Sequence, residues 1–581
     1  MRGGDGPRGR TGSRRSRWIT AALVAAVCAG VWWLAIGWAR IERASPDPHG
    51  LRAAWLGRLE LGYPLVAVGV VLLETMAVGA LLAWRRRRGR TRTALARLAL
   101  AGFATCLALL VAEAAAVLHL GWVHRVPRLA MVESNPQRPG SSDDVTIVVV
   151  GESSAEGVPY RDWLSVGKVV AWQLRRLFPG KTFHLEVQAR AGWTLEQMHQ
   201  KLAEAGRRPD VLILYAGHNE FAMRYGWSFA VPYYADDPSP SPPVRLALWV
   251  AEHSAVSRLI RETRQRELVA ARPAVGKRPL VDAPSFTPAQ AEERLRDFER
   301  RIAAILRDCN RAGVLPVVVV PPGNDADFEP NRSVLPATTP RAEREQFARQ
   351  VPDARDLESL APAQAIPLYR TLIARQPGFA ATHFRLARCL ERGGDDAGAY
   401  AEYIRARDLD GHPMRCPSRF QDVYRRLAPQ FGAILVDGQS VLHARHPRGR
   451  LDDSLFNDGF HPSLEGTVAL AEGILAGLRS RKAFGWPDRL PVPAIDLNAC
   501  AEHFDVTSAT WKEVCHFAAG FYRTTAPICS DPAPREAKAR RYEEGLRNLE
   551  AGAAADDLDL PGVGIRTLVD KPPGPPGQRD H

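Results

Sequence analysis

The chain has 581 residues, 24% of them charged, and a formal net charge of +13. All of that excess sits in residues 1–128, with 19 arginines against 6 acids, while residues 129–581 hold 58 basic and 58 acidic groups. A neutral main body without a basic, aromatic-interleaved stripe argues against a nucleic-acid partner.

The N-terminal arginines describe a membrane topology instead. Trp18–Trp38 runs 21 residues without a charge, about 30 Å of helix and enough to cross a bilayer. Gly62–Trp84 and Leu98–Trp122 are similar, each interrupted by one carboxylate, Glu74 and Glu113. Six arginines precede the first span and seven lie between Arg85 and Arg97, whereas the loop between the first two spans has four. The positive-inside rule then gives three crossings (about 18–38, 62–84 and 98–122), a cytoplasmic N-terminus and an extracytoplasmic body, as in a multi-pass protein of a bacterial inner membrane. Ser13-Arg14-Arg15-Ser16-Arg17 has the look of a twin-arginine export signal, but no small-residue cleavage site follows, which favours an uncleaved span. Glu74 and Glu113 are costly in hydrocarbon and admit two readings, a functional one and a hydrogen-bonded contact between helices.

Beyond a polar connector at 135–143, strands and helices alternate. Val145–Val150, Phe183–Val187, Val211–Tyr215, Leu315–Val320 and Ala433–Val436 read as strands. Ser165–Leu177, Leu195–Ala205, Pro288–Asn310 and Ser463–Arg479 read as helices. This order predicts an α/β domain over 144–480 with a parallel sheet between two helical layers. Two insertions interrupt it. Residues 221–285 include a proline run and the amphipathic segment Val244–Glu267, expected to pack as a plain helix, cover the active site or touch the membrane. Residues 345–411 carry Leu386, Ala387, Leu390, Ala399, Tyr403 and Ala406 at tetratricopeptide-like spacing, with Ala365, Tyr369 and Pro377 one 34-residue step earlier. This unit offers a surface for a protein partner, though one and a half repeats are too few to stand alone. A helical extension over 481–552 and a disordered tail over 553–581 complete the expected organisation.

Of the eight cysteines, Cys28 and Cys106 fall in the spans. Cys309, Cys389, Cys416, Cys500, Cys515 and Cys529 would face an oxidising compartment. Cys500, Cys515 and Cys529 cluster closely enough for a local bridge. With no metal-ligand spacing among them, disulfides or buried thiols are expected and no metal.

Gly151-Glu152-Ser153-Ser154-Ala155-Glu156-Gly157 follows the first strand directly. A serine at the C-terminal mouth of a parallel strand is where an α/β sheet places reactive groups. Near the end of the domain comes Phe456-Asn457-Asp458-Gly459-Phe460-His461-Pro462-Ser463. Asp458 and His461, three apart in a glycine-containing turn, can join carboxylate to imidazole Nδ1 and leave Nε2 free for a serine proton. Asn324 and Arg332, in the loop after the fourth strand, are candidates for substrate binding or for a structural loop.

With these residues the chain resembles the SGNH (GDSL-type) hydrolase superfamily, whose four blocks occur in order. Gly151–Gly157 matches Gly-Asp-Ser-x-x-x-Gly with Glu152 for the aspartate, and Ala191-Gly192-Trp193-Thr194 matches the glycine block. Gly217-His218-Asn219-Glu220 matches Gly-x-Asn-Asp with Glu220 for the last aspartate, and Asp458-Gly459-Phe460-His461 matches Asp-x-x-His. The resemblance implies a three-layer α/β/α domain with Ser153 as nucleophile, His461 as base and Asp458 as its orienter. It implies an oxyanion hole from the Ser153 and Gly192 backbone N–H groups and the Asn219 amide, and no cofactor. The function it implies is an esterase acting on acyl esters of glycans or lipids, and the span pattern read above would anchor it in the membrane with its catalytic domain outside the cytoplasm. An O-acyltransferase of cell-envelope glycans uses the same triad, and a non-catalytic repeat scaffold is the reading from another class.

Overall fold

The computed structural model describes residues 48–83, 90–123, 125–126, 143–205, 208–221, 241–271, 285–336 and 338–565. The expected first span at 18–38, Cys28, and residues 566–581 lie outside them. The chain divides into two units, residues 1–123 with 240–273 and residues 124–239 with 274–581.

In the first unit, helices Pro48–Ala83 and Arg90–Val123 contain stretches of mean hydropathy 1.9 (Leu51–Ala80) and 2.0 (Ala99–Val123), long and apolar enough to cross a membrane. Helices Pro242–His253 and Ala255–Ala271 pack against them, so the amphipathic 244–267 segment belongs to this unit. Glu60 pairs with Arg261 at 3.0 Å and Arg264 at 2.8 Å. Glu113 accepts hydrogen bonds from the Tyr63 hydroxyl (2.9 Å), the Ser254 hydroxyl and the Ala255 N–H (2.7 Å). It therefore satisfies an orphan donor in the first turn of the 255–271 helix, the interhelical role rather than a free charge in hydrocarbon.

The second unit is built on a five-stranded, wholly parallel sheet in the order β2-β1-β3-β4-β5. The strands are β1 Asp144–Gly151, β2 Thr182–Ala189, β3 Val211–Tyr215, β4 Leu315–Val320 and β5 Ile434–Asp437. The period-2 alternation of side chains divides each central strand between two cores. Val145, Ile147 and Val149 of β1, with Val317 and Val319 of β4, enter one; Val148, Val150, Val318 and Val320 enter the other. The first core is closed by helices Val166–Leu177 and Leu464–Ser480 and by the C-terminal helices Ser508–Thr525 and Ala533–Glu550. The second is closed by Leu195–Ala205, Pro288–Ala312 and Ser418–Gln430. This is the expected α/β/α layering. The 288–312 helix starts as its sequence directs: Pro288 is at N1, and Thr287 and Gln290 form a reciprocal capping box.

The insertion folds as four helices, Arg341–Leu360, Pro362–Arg375, Ala380–Arg392 and Asp396–Asp408, each packing on the next. Ala365, Tyr369, Leu386, Ala387, Leu390, Ala399, Tyr403 and Ala406 share one buried cluster.

Two expectations need correction. The local bridge among Cys500, Cys515 and Cys529 does not form: all three are free thiols, and burial pushes each up to about 12. The disordered tail does not begin at 553. Leu560 and Val563 are buried, and Pro561 O accepts the Tyr542 hydroxyl at 2.9 Å. Two apolar side chains in Leu560–Val563 therefore give the acidic stretch a core to bind, and packing extends to residue 565.

Candidate active site

Strand order 2-1-3-4-5 reverses direction between β1 and β3, so their C-terminal ends flank a crevice, the place where open α/β sheets bind ligands. The Gly151–Gly157 block leaves β1 there, and Gly217–Glu220 leaves β3. Ser153 opens a single helical turn, Ser153–Glu156, ended by Gly157 at φ +98°. A Cβ at Gly157 would meet the Leu164 carbonyl oxygen at 2.1 Å, so a larger residue would displace the turn.

The Asp458–His461 turn meets Ser153 from the far end of the domain. His461 Nε2 lies 2.7 Å from Ser153 Oγ, and His461 Nδ1 lies 2.6 Å from Asp458 Oδ2. The other Asp458 oxygen accepts the Phe460 and His461 N–H groups at 2.9 and 3.0 Å. One oxygen thus holds the turn while the other holds the ring. With Nδ1–H donating to the carboxylate, Nε2 is the acceptor for the serine proton. Ser153, Asp458 and His461 are 6%, 0% and 3% exposed, so the relay is shielded from bulk water. Ser154 donates instead to Phe460 O at 3.2 Å, which leaves Ser153 as the hydroxyl on the imidazole.

The neighbouring loops are pinned by two acids. Glu152 is buried and accepts the N–H groups of Gly217 (2.9 Å), His218 (2.9 Å) and Asn219 (3.2 Å), tying the β3 turn to the residue beside Ser153. Glu156 accepts the Ala191 N–H at 2.6 Å, and the Arg190 N–H reaches Gly151 O at 3.3 Å, so the turn carrying Gly192 is fastened to the same block. Gly192 has φ +80°, a conformation glycine adopts without strain. The Asn219 amide gives one N–H to Trp193 O at 3.0 Å, which fixes its plane and leaves a second N–H to donate. Glu220 accepts the Leu195 N–H at 2.7 Å and caps the 195–205 helix.

Burial, then the charge of Glu220, pushes Glu152 up to about 8 against the pull of its three N–H donors. Burial also raises Glu220, opposed by Arg294. His218 is driven well below its ordinary value by burial and then by the charges of His461, Arg407 and Arg415. It accepts the Cys416 N–H on Nδ1 at 3.1 Å and stacks on Phe460, centroids 5.0 Å apart.

Asn324 and Arg332 do not belong to a binding surface, being 0% and 1% exposed. Asn324 donates through Nδ2 to Asp453 (2.7 Å) and to Asp458 O (2.9 Å), and its N–H reaches Gly459 O at 2.9 Å. It buttresses the histidine turn from behind. Arg332 donates from Nε to Ile528 O at 3.1 Å, and its N–H reaches Asp410 at 3.0 Å, joining the β4 loop to the C-terminal extension. Buried polar groups need partners, and Asn324 Nδ2 and Arg332 Nε find theirs within the protein.

Sequence reading missed the clamping roles of Glu152 and Glu156, although the departure of Glu152 from the usual aspartate was a visible signal. It expected a helical extension over 481–552 but not that its helix Ser508–Thr525 brings Phe517 and Phe521 to the His461 imidazole, at ring-centroid distances of 5.4 and 6.1 Å. The two phenylalanines stand four apart and so on one helix face, a pattern equally consistent with ordinary core packing.

No protein-family profile matches the chain, and no curated protein matches it. Among solved structures it is similar to LAE5, an alpha/beta hydrolase enzyme from the metagenome of Lake Arreo, Spain, at 12% identity over 57% of this chain and 94% of the other, TM-score 0.26. A variant of the acetyl xylan esterase Axe2 from Geobacillus stearothermophilus is 12% identical over 60% of this chain and 97% of the other, TM-score 0.28. A protein described as a GDSL-like lipase from Parabacteroides merdae is 12% identical over 60% and 98%, TM-score 0.27.

Proposed function

We propose that this protein is a serine esterase that hydrolyses acyl esters through an acyl-enzyme. The observation that carries the reading is the continuous relay Asp458 Oδ2–His461 Nδ1, His461 Nε2–Ser153 Oγ, at 2.6 and 2.7 Å, beside the crevice of the sheet. A serine hydroxyl is a weak nucleophile until a base takes its proton during attack. His461 Nε2 takes it, and the Asp458 carboxylate stabilises the imidazolium across Nδ1–H. Ser153 Oγ bonds to the ester carbon, and the carbonyl oxygen becomes an oxyanion. The Asn219 amide and the Ser153 and Gly192 backbone N–H groups are its proposed donors, each worth about 3 kcal/mol in the transition state. His461 then protonates the leaving alcohol as the C–O bond breaks. In the second half, water takes the place of the alcohol, gives its proton to His461, and releases the acid and free Ser153 Oγ. These side chains and water suffice for the balance of the reaction.

The two apolar helices and the arginine distribution support membrane anchorage with the catalytic unit on the extracytoplasmic side of a bacterial inner membrane. The four-helix insertion at 341–408 is the proposed tetratricopeptide-like element.

A fluorophosphonate probe and short p-nitrophenyl esters test the chemistry. The wild-type chain is expected to label at one serine and to hydrolyse the esters. Ser153→Ala should abolish labelling and lower turnover by on the order of 10⁴ or more. A wild type that neither labels nor hydrolyses overturns the esterase reading, and a Ser153→Ala variant that labels equally removes Ser153 as the nucleophile. An added sugar acceptor that raises turnover while suppressing free acid would move the assignment to acyl transfer.

A further inference from the structure

We infer that the C-terminal extension supplies part of the substrate site: Phe517, backed by Phe521, forms the wall of the leaving-alcohol subsite and selects alcohols that present a flat ring face. This rests on the esterase reading above. The 508–525 helix turns Trp511, Val514, Cys515, Ala518, Ala519 and Tyr522 into the core. Phe517 and Phe521 lie at the border of that face, half-buried. Phe521 has a packing reason to be there, seated against Met414, Phe460 and Ile528. Phe517 joins no apolar cluster among the described residues. Its ring contacts are the His461 ring at 5.4 Å and 81° and Phe521 at 6.4 Å and 25°. Partly buried outside those clusters and set against the proposed base, the Phe517 ring is placed to contact a ligand that reaches His461.

Its side of the site follows from the chemistry. The oxygen that His461 Nε2 protonates must come within hydrogen-bond reach of that nitrogen. The alcohol half of the ester therefore passes the imidazole, while the carbonyl oxygen is directed to the Asn219 and Gly192 donors. Rings packed on His461 accordingly border the alcohol. Phe517 and Phe521 are close to parallel, and a flat pair of phenyl faces complements a ring laid against it better than a small or flexible alcohol.

The test uses the full chain and acetates that share one acyl group: ethyl acetate, cyclohexyl acetate, phenyl acetate and a mono-O-acetyl methyl pyranoside. Phe517→Ala is expected to lower kcat/KM for the cyclic esters at least tenfold, mainly through KM, and for ethyl acetate less than twofold. Its fluorophosphonate labelling rate should match wild type, and Phe517→Tyr, which keeps the ring, should retain the cyclic preference. The cyclohexyl and pyranoside arms distinguish a carbocyclic from a sugar alcohol. An equal loss on all four esters, or slower labelling, would mean that Phe517 only braces His461 and overturns the subsite. A thermal melt of Phe517→Ala that matches wild type separates either result from misfolding. A wild type inert to probe and esters is a failure of the esterase reading and is distinguished from the others by that fact alone.

Discussion

Two clusters of buried polar side chains lie beside the C-terminal ends of β1, β3 and β4, and both have the burial that marks functional sites. In the first, Asp458, His461 and Ser153 form a line, each partner used once along it, and the line ends on a serine hydroxyl. In the second, the Asp325 carboxylate is enclosed by Arg407 at 3.1 Å, Arg415 at 3.5 Å and Gln439 at 2.8 Å. Arg407 goes on to Ser418 at 2.7 Å and Asp408 at 3.2 Å, and Arg415 to Asn324 O at 2.8 Å. Burial pushes Asp325 up while the two guanidinium groups pull it down. Buried, paired carboxylates are therefore common to both clusters, and burial does not by itself mark chemistry. What separates them is closure. The Asp325 cluster is turned inward and stiffens the β4 loop that buttresses Asp458. The His461 relay leads to one atom that can leave its partner and bond to something else.

Substitutions should pull the two clusters apart. Outside the Ser153–His461–Asp458 relay, the largest effect on chemistry is expected at Asn219: Asn219→Ala should lower kcat by about 10²–10³ with little change in melting temperature, measured by ester turnover beside calorimetry. If kcat holds, Asn219 is not an oxyanion donor. Asp325→Asn should do the reverse. Leaving Arg407 and Arg415 buried without their counter-charge costs about 3–5 kcal/mol of stability in urea unfolding, while kcat per folded molecule stays within about threefold because no reacting atom is touched. A hundredfold fall in kcat with unchanged stability would erase the distinction drawn above.

Glu152 gives the most specific effect. Its carboxyl titrates at about 8 when folded against an ordinary 4.5. The folded chain thus binds more protons than the unfolded chain between those values, and stability falls as pH rises through that window. Glu152→Gln should flatten this part of the stability–pH curve, read from urea midpoints at pH 5 and 8. An unchanged slope would assign it to other groups.

The physical basis of legibility differs along the chain. The β-branched runs at 145–150, 211–215 and 315–320 are buried on both faces, so their pattern is strong and the strands lie within a residue or two of where they were read. Ser153, Asp458 and His461 were legible because four short blocks in order resemble those of one hydrolase superfamily, each block too weak alone, and the structure brings all three together. Asn324 and Arg332 stayed open between substrate binding and a structural loop because a polar loop after a strand looks the same in sequence whether it lines a pocket or plugs a core. Only burial tells the two apart. The fate of Cys500, Cys515 and Cys529 was hidden likewise, since sequence proximity says nothing of whether side chains point toward one another.

By itself the sequence determined the parallel α/β order, the apolar N-terminal helices and the place of the Gly151–Gly157 turn, because periodicity, charge run and turn residue are local properties written in neighbouring positions. The tertiary structure decided which distant groups meet: His461 on Ser153 across 308 positions, Glu152 beneath the Asn219 turn, and the C-terminal helix setting Phe517 on the His461 imidazole. Those contacts come from how helices pack on the two faces of the sheet, and packing joins residues by shape and burial rather than by their spacing along the chain.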